Sequence, residues 1–117
     1  MIVVEPRHPS WFEPAVDALL AEWRIARVAA DPARVTIAAS PGGWPGLAYF
    51  RLHGSPQIYR SPYDEAAITA QAAQLRSLAA AGVETWTIYD NTASGAALSN
   101  AMSLRASLEA RHEPGPA

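Results

Sequence analysis

The segment Leu47-Ala-Tyr-Phe-Arg-Leu-His53 decides the fold, because its pattern predicts a β-strand with two unlike faces. Successive side chains of a strand point to opposite faces. One face would carry Ala48, Phe50 and Leu52, and the other Tyr49, Arg51 and His53. The apolar face suits a packed core, and the polar face brings a guanidinium and an imidazole to the carboxyl end of the strand.

Strands and helices alternate around this segment. Further strands are predicted at residues 2–5, 25–30 and 83–89, and helices at 12–23, 62–81 and 94–111. Residues 33–46 lack a helical period and contain Pro41-Gly-Gly-Trp-Pro-Gly46, so they predict a long loop where a helix would be expected. This order is typical of parallel βαβ units with right-handed crossovers.

Two of the predicted helices carry start signals. Ser10-Trp-Phe-Glu13 matches a capping box ahead of the first helix. Ser61-Pro-Tyr-Asp64 is typical of an N-cap followed by a proline at the first helical position. We therefore expect Ser10 and Ser61 to cap these helices.

Composition bounds the function classes. Of 117 residues, 50% are hydrophobic and 17% charged, so the chain can bury a core; we expect one domain over residues 1–112 and a disordered tail at 113–117. The net charge of −2 argues against broad nucleic-acid binding. The absence of cysteine excludes disulfides and thiolate sites. No run approaches the ~20 apolar residues of a membrane span, and we expect a cytoplasmic protein.

Polar residues stand at the carboxyl ends of the predicted strands, where functional groups of parallel β/α folds gather. They are Glu5, Arg7 and His8 after the first strand, Asp31 after the second, Arg51 and His53 in the third, and Asp90 and Asn91 after the fourth. Four strands thus direct polar groups to one rim, which predicts a site of some kind.

Each candidate residue at the rim has two interpretations. Glu5 is a general base or metal ligand, or else the ion-pair partner of Arg7 or Arg51. Arg51 and His53, two apart on one face, suit a phosphate or carboxylate oxygen, or else form a salt bridge. His8, in a proline-flanked loop, contacts a ligand or is only solvated.

The other candidates lie on loops and at the last strand. Asn91, beside Tyr89, could hydrogen-bond a ligand, while Asp90 on the opposite parity would cap the last helix. Tyr59 and Tyr63 could stack on a sugar or base, or pack the loops.

Known cofactor motifs are absent from the sequence. It has no phosphate-binding loop, dinucleotide fingerprint, nucleophile elbow or His-Glu-x-x-His motif. Glu5, His8, Asp31 and His53 have suitable donor atoms for a metal, but no spacing motif supports the site and we assign no metal ligand. The cofactor stays unassigned, and so does the question of whether the chain is an enzyme.

Four motifs occur in a distinctive order. They are Val4-Glu5-Pro-Arg7-His8-Pro-Ser10-Trp11, then Tyr49-Phe-Arg51-Leu-His53-Gly54, then Tyr59 with Ser61-Pro-Tyr63, and Tyr89-Asp-Asn91 followed by Asn100-Ala101. Together they resemble the YecE-like family, also called domain of unknown function 72, over nearly the whole chain. The resemblance departs at Asp90, where the family usually has an asparagine.

The resemblance implies a TIM-barrel fold, of which this chain supplies the fifth to eighth β/α units. The predicted fold class is therefore α/β, half of a TIM (β/α)8 barrel with about four parallel strands and three main helices; a complete barrel needs roughly 250 residues. The resemblance implies little about activity, because the family has no settled biochemical role. Likeness to sugar-isomerase and apurinic-endonuclease barrels suggests sugar or phosphodiester substrates by fold analogy alone.

The leading hypothesis is a rim that binds a small anionic or phosphate-bearing ligand, with Glu5 as base and His53 as acid. The expected ligand contacts are Arg7, His8, Arg51, Tyr59, Tyr63 and Asn91. The alternative is a non-catalytic fragment or assembly module in which these groups form a buried salt-bridge network. An open half-barrel exposes two strand edges, so we expect a homodimer, pairing with an N-terminal half, or a truncated product without function.

Overall fold

A computed structural model of the protein describes residues 1–110 and has a mixed α/β fold. The three α-helices are α1 Pro14–Glu22, α2 Glu65–Ala80 and α3 Ala96–Ala110. The strands are β1 Ile2–Val4, β2 Ile25–Arg27, β3 Ala29–Asp31, β4 Gly42–Gly43, β5 Leu47–Leu52 and β6 Glu84–Tyr89. The predicted domain end at residue 112 and the predicted tail at 113–117 lie outside the described residues.

The strands form two small sheets, ordered β1-β2-β4 and β3-β5-β6. All pairs are parallel except β2 with β4. The single strand predicted at 25–30 is therefore divided into β2 and β3, because β4 occupies an edge of β2 whereas β5 pairs only from Ala29 onward. Between them, Val28 donates its N–H to the Val4 carbonyl at 2.9 Å, so the two sheets meet along this segment.

The core lies between the β3-β5-β6 sheet and the helices α2 and α3. It contains Ala29, Ala48, Phe50, Ile68, Ala72, Leu75 and Leu104. The apolar face predicted for β5 thus packs under α2 and α3, and its polar face is left on the side without helices. This arrangement confirms the two-faced strand and directs Arg51 and His53 to the face that the helices leave uncovered.

Both predicted helix caps are wrong. The His8 ring, not Ser10, caps a short 3-10 helix at Pro9–Phe12 by accepting from the Ser10 N–H, and α1 begins only at Pro14. The Asp64 carboxylate, not Ser61, caps α2 by accepting from the Ala67 N–H at 2.8 Å. In each case the side chain that accepts the capping hydrogen bond belongs to a different residue from the serine that the motif indicated.

Residues 33–46 are more ordered than the predicted loop. They contain a 3-10 helix at Thr36–Ala39 and the short strand β4. Gly43, at φ 66°, donates its N–H to the Asp17 carboxylate of α1 at 2.7 Å. The buried Arg27 guanidinium lies against Gly42, where a Cβ atom would have no room. Where a β/α unit would have a helix, this chain therefore has an irregular segment that is hydrogen-bonded to α1 and β2.

No helix within residues 1–110 is long and apolar enough to cross a membrane.

Candidate functional site

Four side chains form a closed set of ion pairs at the carboxyl ends of β1, β5 and β6, and we call them the ion-pair ring: Glu5, Arg51, His53 and Asp90. Arg51 donates through Nη1 to Glu5 Oε1 at 3.0 Å and through Nη2 to Asp90 Oδ2 at 2.8 Å. The two ring nitrogens of His53 lie 3.0 Å from Glu5 Oε2 and 3.0 Å from Asp90 Oδ2. Each basic group therefore bridges the same two carboxylates.

Strand alternation explains how the ion-pair ring assembles. Arg51 and His53 share the uncovered face of β5, and Asp90 follows β6, in which Ile88 is paired with Arg51. Glu5 reaches them from β1 across β3. Ala30 stands beside Arg51 in the β3–β5 register, and its small side chain leaves room for the contact.

The electrostatics of the ion-pair ring depend on His53, whose side chain is only 5% exposed. Carboxylates accept hydrogen bonds and do not donate them. The imidazole can therefore donate to both carboxylates only as the imidazolium ion, and the four charges then sum to zero. With a neutral imidazole the ring carries one net negative charge.

A cleft of about 400 Å³, which we call the rim cleft, opens beside the ion-pair ring. Glu5 and His53 form part of its wall, together with the guanidinium-bearing residues Arg7 and Arg34. Within residues 1–110 neither Arg7 nor Arg34 has a hydrogen-bond or ion-pair partner for its side chain. The rim cleft thus joins two unpaired cations to an acidic group that is already paired.

Of the predicted ligand contacts, only Arg7 lies in the wall of the rim cleft. The His8 ring faces Ser10, with Nδ1 2.8 Å from the hydroxyl. Arg51 lies in the ion-pair ring. Tyr59, at φ 65°, packs its ring edge against His53 with 5.8 Å between the ring centres.

Tyr63 is held on the helix-covered side of the sheet. Its hydroxyl donates to Asp31 Oδ2 at 2.7 Å and accepts from the Gly54 N–H at 2.9 Å. Burial and the hydrogen bond to Asp31 raise the pKa of Tyr63 well above its ordinary value. The neighbouring Tyr89 has a pKa raised to about 12 by burial. Neither phenol is disposed to lose its proton near neutral pH.

Asn91 is fully buried and faces away from the ion-pair ring, so the expectation that it points into the rim is wrong. Its amide donates to the Ser61 carbonyl at 3.0 Å and to Asn100 Oδ1 at 2.8 Å. Asn100, on α3, also accepts from the Tyr63 N–H and donates to the Tyr63 carbonyl, both at 3.1 Å. The two asparagines hold the segment before α2.

Sequence reasoning missed two residues of the site. Asp90 contacts Arg51 and His53, whereas the sequence predicted that it caps the last helix. Its contact depends on the register in which Arg51 is paired with Ile88, and neither strand alone carries a signal for that register. Arg34 comes from the segment predicted as a loop, where no periodic signal exists. Its charge was the one available clue.

The residues considered for a metal site do not assemble into one. His8 caps a helix and Asp31 binds Tyr63, so neither joins Glu5 and His53. Among the first 110 residues no group of three or more His, Cys, Asp or Glu side chains is arranged to hold a metal ion.

Comparison with solved structures shows where this fold recurs. A DUF72 family protein from Enterococcus faecalis matches with a TM-score of 0.75 and 20% identity, over 92% of this chain and 47% of that one. A DUF72 family protein from Thermotoga maritima matches with a TM-score of 0.74 and 25% identity, over 92% of this chain and 45% of that one. The chain therefore spans about half the length of these neighbours.

A search of curated proteins finds no match. The family model described as "Protein of unknown function DUF72" matches residues 1–117. The order of motifs, the α/β fold and this match over the whole length agree, and the chain belongs to the DUF72 family.

Proposed function

We propose that the rim cleft binds a small anionic ligand, a carboxylate or a phosphate, through Arg7 and Arg34. The observation that carries this proposal is that the acidic group in the cleft wall is paired, whereas two of its basic groups are not. Glu5 is engaged by Arg51 and His53, whereas the two arginines have no side-chain partner within the described residues. The remaining charge of the cleft is therefore positive, and guanidinium groups bind such oxygens with charge-assisted hydrogen bonds.

The role of Arg51 in this proposal differs from that of a ligand contact. Its two terminal nitrogens are already bonded to Glu5 and Asp90, so it supports the wall of the cleft. Glu5 as base and His53 as acid are the groups that would exchange a proton with a reacting ligand. Both line the rim cleft beside Arg7 and Arg34, where the ligand would lie.

Titration with inorganic phosphate, followed by the NMR shifts of the arginine Nε–H groups, tests the proposal. We expect shifts at Arg7 and Arg34, and a loss of about tenfold in affinity when both are changed to Gln. Arg24→Gln is the matched control, because Arg24 precedes β2 at the opposite end of the strands. Equal affinity in the double variant and the wild type would refute the proposal.

A second candidate function is assembly, favoured by the two open edges of the fold. We propose that the parallel strands are half of a β/α barrel that a second copy of the chain completes. Exposed apolar side chains gather at β1 and α1 and again at β6 and α3: Ile2, Leu19, Trp23, Trp86, Leu98 and Met102. A twofold axis along the barrel would keep all strands parallel while pairing each β6 with the partner's β1.

Sedimentation equilibrium of the purified chain, with a dye that reports exposed apolar surface, tests the assembly. A discrete dimer with little dye binding is the expected result, because closing both edges buries these side chains. A dye-binding monomer contradicts the homodimer, because it would show that a second copy of the chain does not cover the open edges.

A further inference from the structure

We infer that the ligand of the rim cleft carries an apolar body beside its anionic group, as in an organic phosphate or carboxylate. This inference rests on the proposed anion site and names the class of ligand that the site would select. It concerns the part of the wall that the charged residues do not form.

Three separate loops each contribute an apolar side chain to that wall. Phe12 comes from the 3-10 helix after β1, Ala38 from the 3-10 helix after β3, and Ile58 from the loop after β5. Strand residues Val28 and Ala30 continue the same surface. The charged groups therefore occupy one portion of a cleft that is otherwise hydrocarbon.

Ile58 is the most informative of these residues. It is a large aliphatic side chain in an irregular loop, and 46% of its surface is exposed. It does not belong to the core formed by β5, α2 and α3. A residue of this kind contributes little to the fold, yet it would lose contact with water when an apolar group entered the cleft.

The size of the rim cleft points in the same direction. A volume of about 400 Å³ falls within the range of pockets that hold organic ligands. An inorganic anion would fill only a small part of it and leave the apolar wall in contact with water. Covering that wall adds affinity in proportion to the apolar area removed from water.

Calorimetric or NMR titrations with three probes test the inference: phenyl phosphate, inorganic phosphate and phenol. We expect phenyl phosphate to bind about tenfold more tightly than inorganic phosphate, because it adds a buried ring to the same anionic group. Phenol, which lacks the anion, should bind more weakly than phenyl phosphate.

A pair of isoleucine variants locates the apolar contact. Ile58→Ala should lower the affinity for phenyl phosphate by about fivefold and leave that for inorganic phosphate unchanged. Ile37→Ala is the matched control, because Ile37 is similarly exposed but does not line the rim cleft. Neither affinity should change in the control.

The outcomes separate this inference from the proposal beneath it. Equal affinities for phenyl phosphate and inorganic phosphate, or an Ile58→Ala variant that binds both as the wild type does, would overturn the apolar body and leave the anion site standing. Phenol binding as tightly as phenyl phosphate, or no binding of either phosphate, would overturn the anion site itself.

Discussion

Arg51 is the residue on which the candidate site depends most. It is bonded to two carboxylates from different strands, and those carboxylates are also held by His53. Removing the guanidinium would leave two partly buried acidic groups facing one imidazole. Losing one partner of such a set costs more than the set contributes when intact, because the remaining charges stay desolvated.

We predict that Arg51→Ala lowers the free energy of unfolding by about 2 kcal/mol, a value below that of fully buried pairs because the side chain is 34% exposed. Urea unfolding measures the effect. Arg105→Ala is the matched control, since its pair with Glu109 is largely exposed and its loss should have little effect on stability. Equal losses in the two variants would mean that the ion-pair ring gives no special stability.

Tyr89 provides a prediction about alkaline pH. Burial raises its pKa from 10.0 to about 12, so the fold favours the neutral phenol. The stability that this preference contributes is fully present below pH 10.0, the ordinary pKa, and is lost as the pH rises through about 12.

An ultraviolet titration of tyrosinate formation should therefore lose part of its late phase, near pH 12, in Tyr89→Phe. The chain unfolded in denaturant is the control, and there the tyrosines should titrate near about 10. If Tyr89→Phe instead removed absorbance from the earlier phase, in which tyrosines with an ordinary pKa lose their protons, the raised pKa of Tyr89 would be wrong.

At the scale of elements, α3 is joined to the segment before α2 by a side chain rather than by the backbone. Asn100 accepts from Asn91 and makes two hydrogen bonds with the backbone of Tyr63. Asn91 in turn holds the Ser61 carbonyl. This link fixes where α2 begins relative to β6.

We predict that Asn100→Ala lowers the free energy of unfolding by about 2 to 3 kcal/mol, because buried polar groups of Tyr63 and Asn91 lose their partners. Thermal or urea unfolding measures it, and hydrogen exchange of the Tyr63 N–H should become faster. Ser99→Ala, at an exposed neighbouring position of α3, should be within about 0.5 kcal/mol of wild type. An Asn100→Ala variant as stable as this control would show that the link is dispensable.

The sequence predicted elements with a clear period better than it predicted their junctions. The ends of β5, α2 and α3 were predicted to within a few residues, because each element buries one continuous face and therefore has a clear hydrophobic period. The division of residues 25–31 into β2 and β3 could not be predicted, because it depends on the pairing of β4 with β2. Those two strands are far apart in the sequence. Local motifs also placed the caps wrongly, because each helical segment begins at a different residue from the one the motif indicated: His8 accepts from the Ser10 N–H and Asp64 from the Ala67 N–H.

The site was predicted to a similar degree. Strand alternation correctly grouped Arg51 with His53 and brought Glu5 to them. The contact of Asp90 depends on the relative register of β5 and β6, which no property of either strand alone determines. Arg34 lies in the wall of the rim cleft, and the segment that follows it is bonded to Asp17 and Arg27. These long-range contacts have no local signal in the sequence.

At the scale of the whole molecule, the proposed dimer predicts which surface substitution breaks it. Leu98 is 74% exposed on α3, the helix that follows the edge strand β6. Leu98→Arg should shift the sedimentation equilibrium toward monomer by at least about tenfold in dissociation constant, because a charge would replace a buried contact. Ala79→Arg, at an exposed position of the central helix α2, should leave the dimer intact. Equal dissociation constants for the two variants would show that Leu98 does not lie in the dimer interface.

The ion-pair ring also has a consequence for the order of folding events. Its contacts join residues 37 to 48 positions apart in the sequence, so it can close only after β1, β5 and β6 are aligned. A slip of β6 by one residue would turn Asp90 to the other face, and the ring would not form. Contacts completed this late act on the unfolding rate rather than on the refolding rate. In a chevron experiment Arg51→Ala should therefore unfold faster while refolding at nearly the rate of the wild type, so that the same four side chains would lengthen the lifetime of the correctly registered sheet.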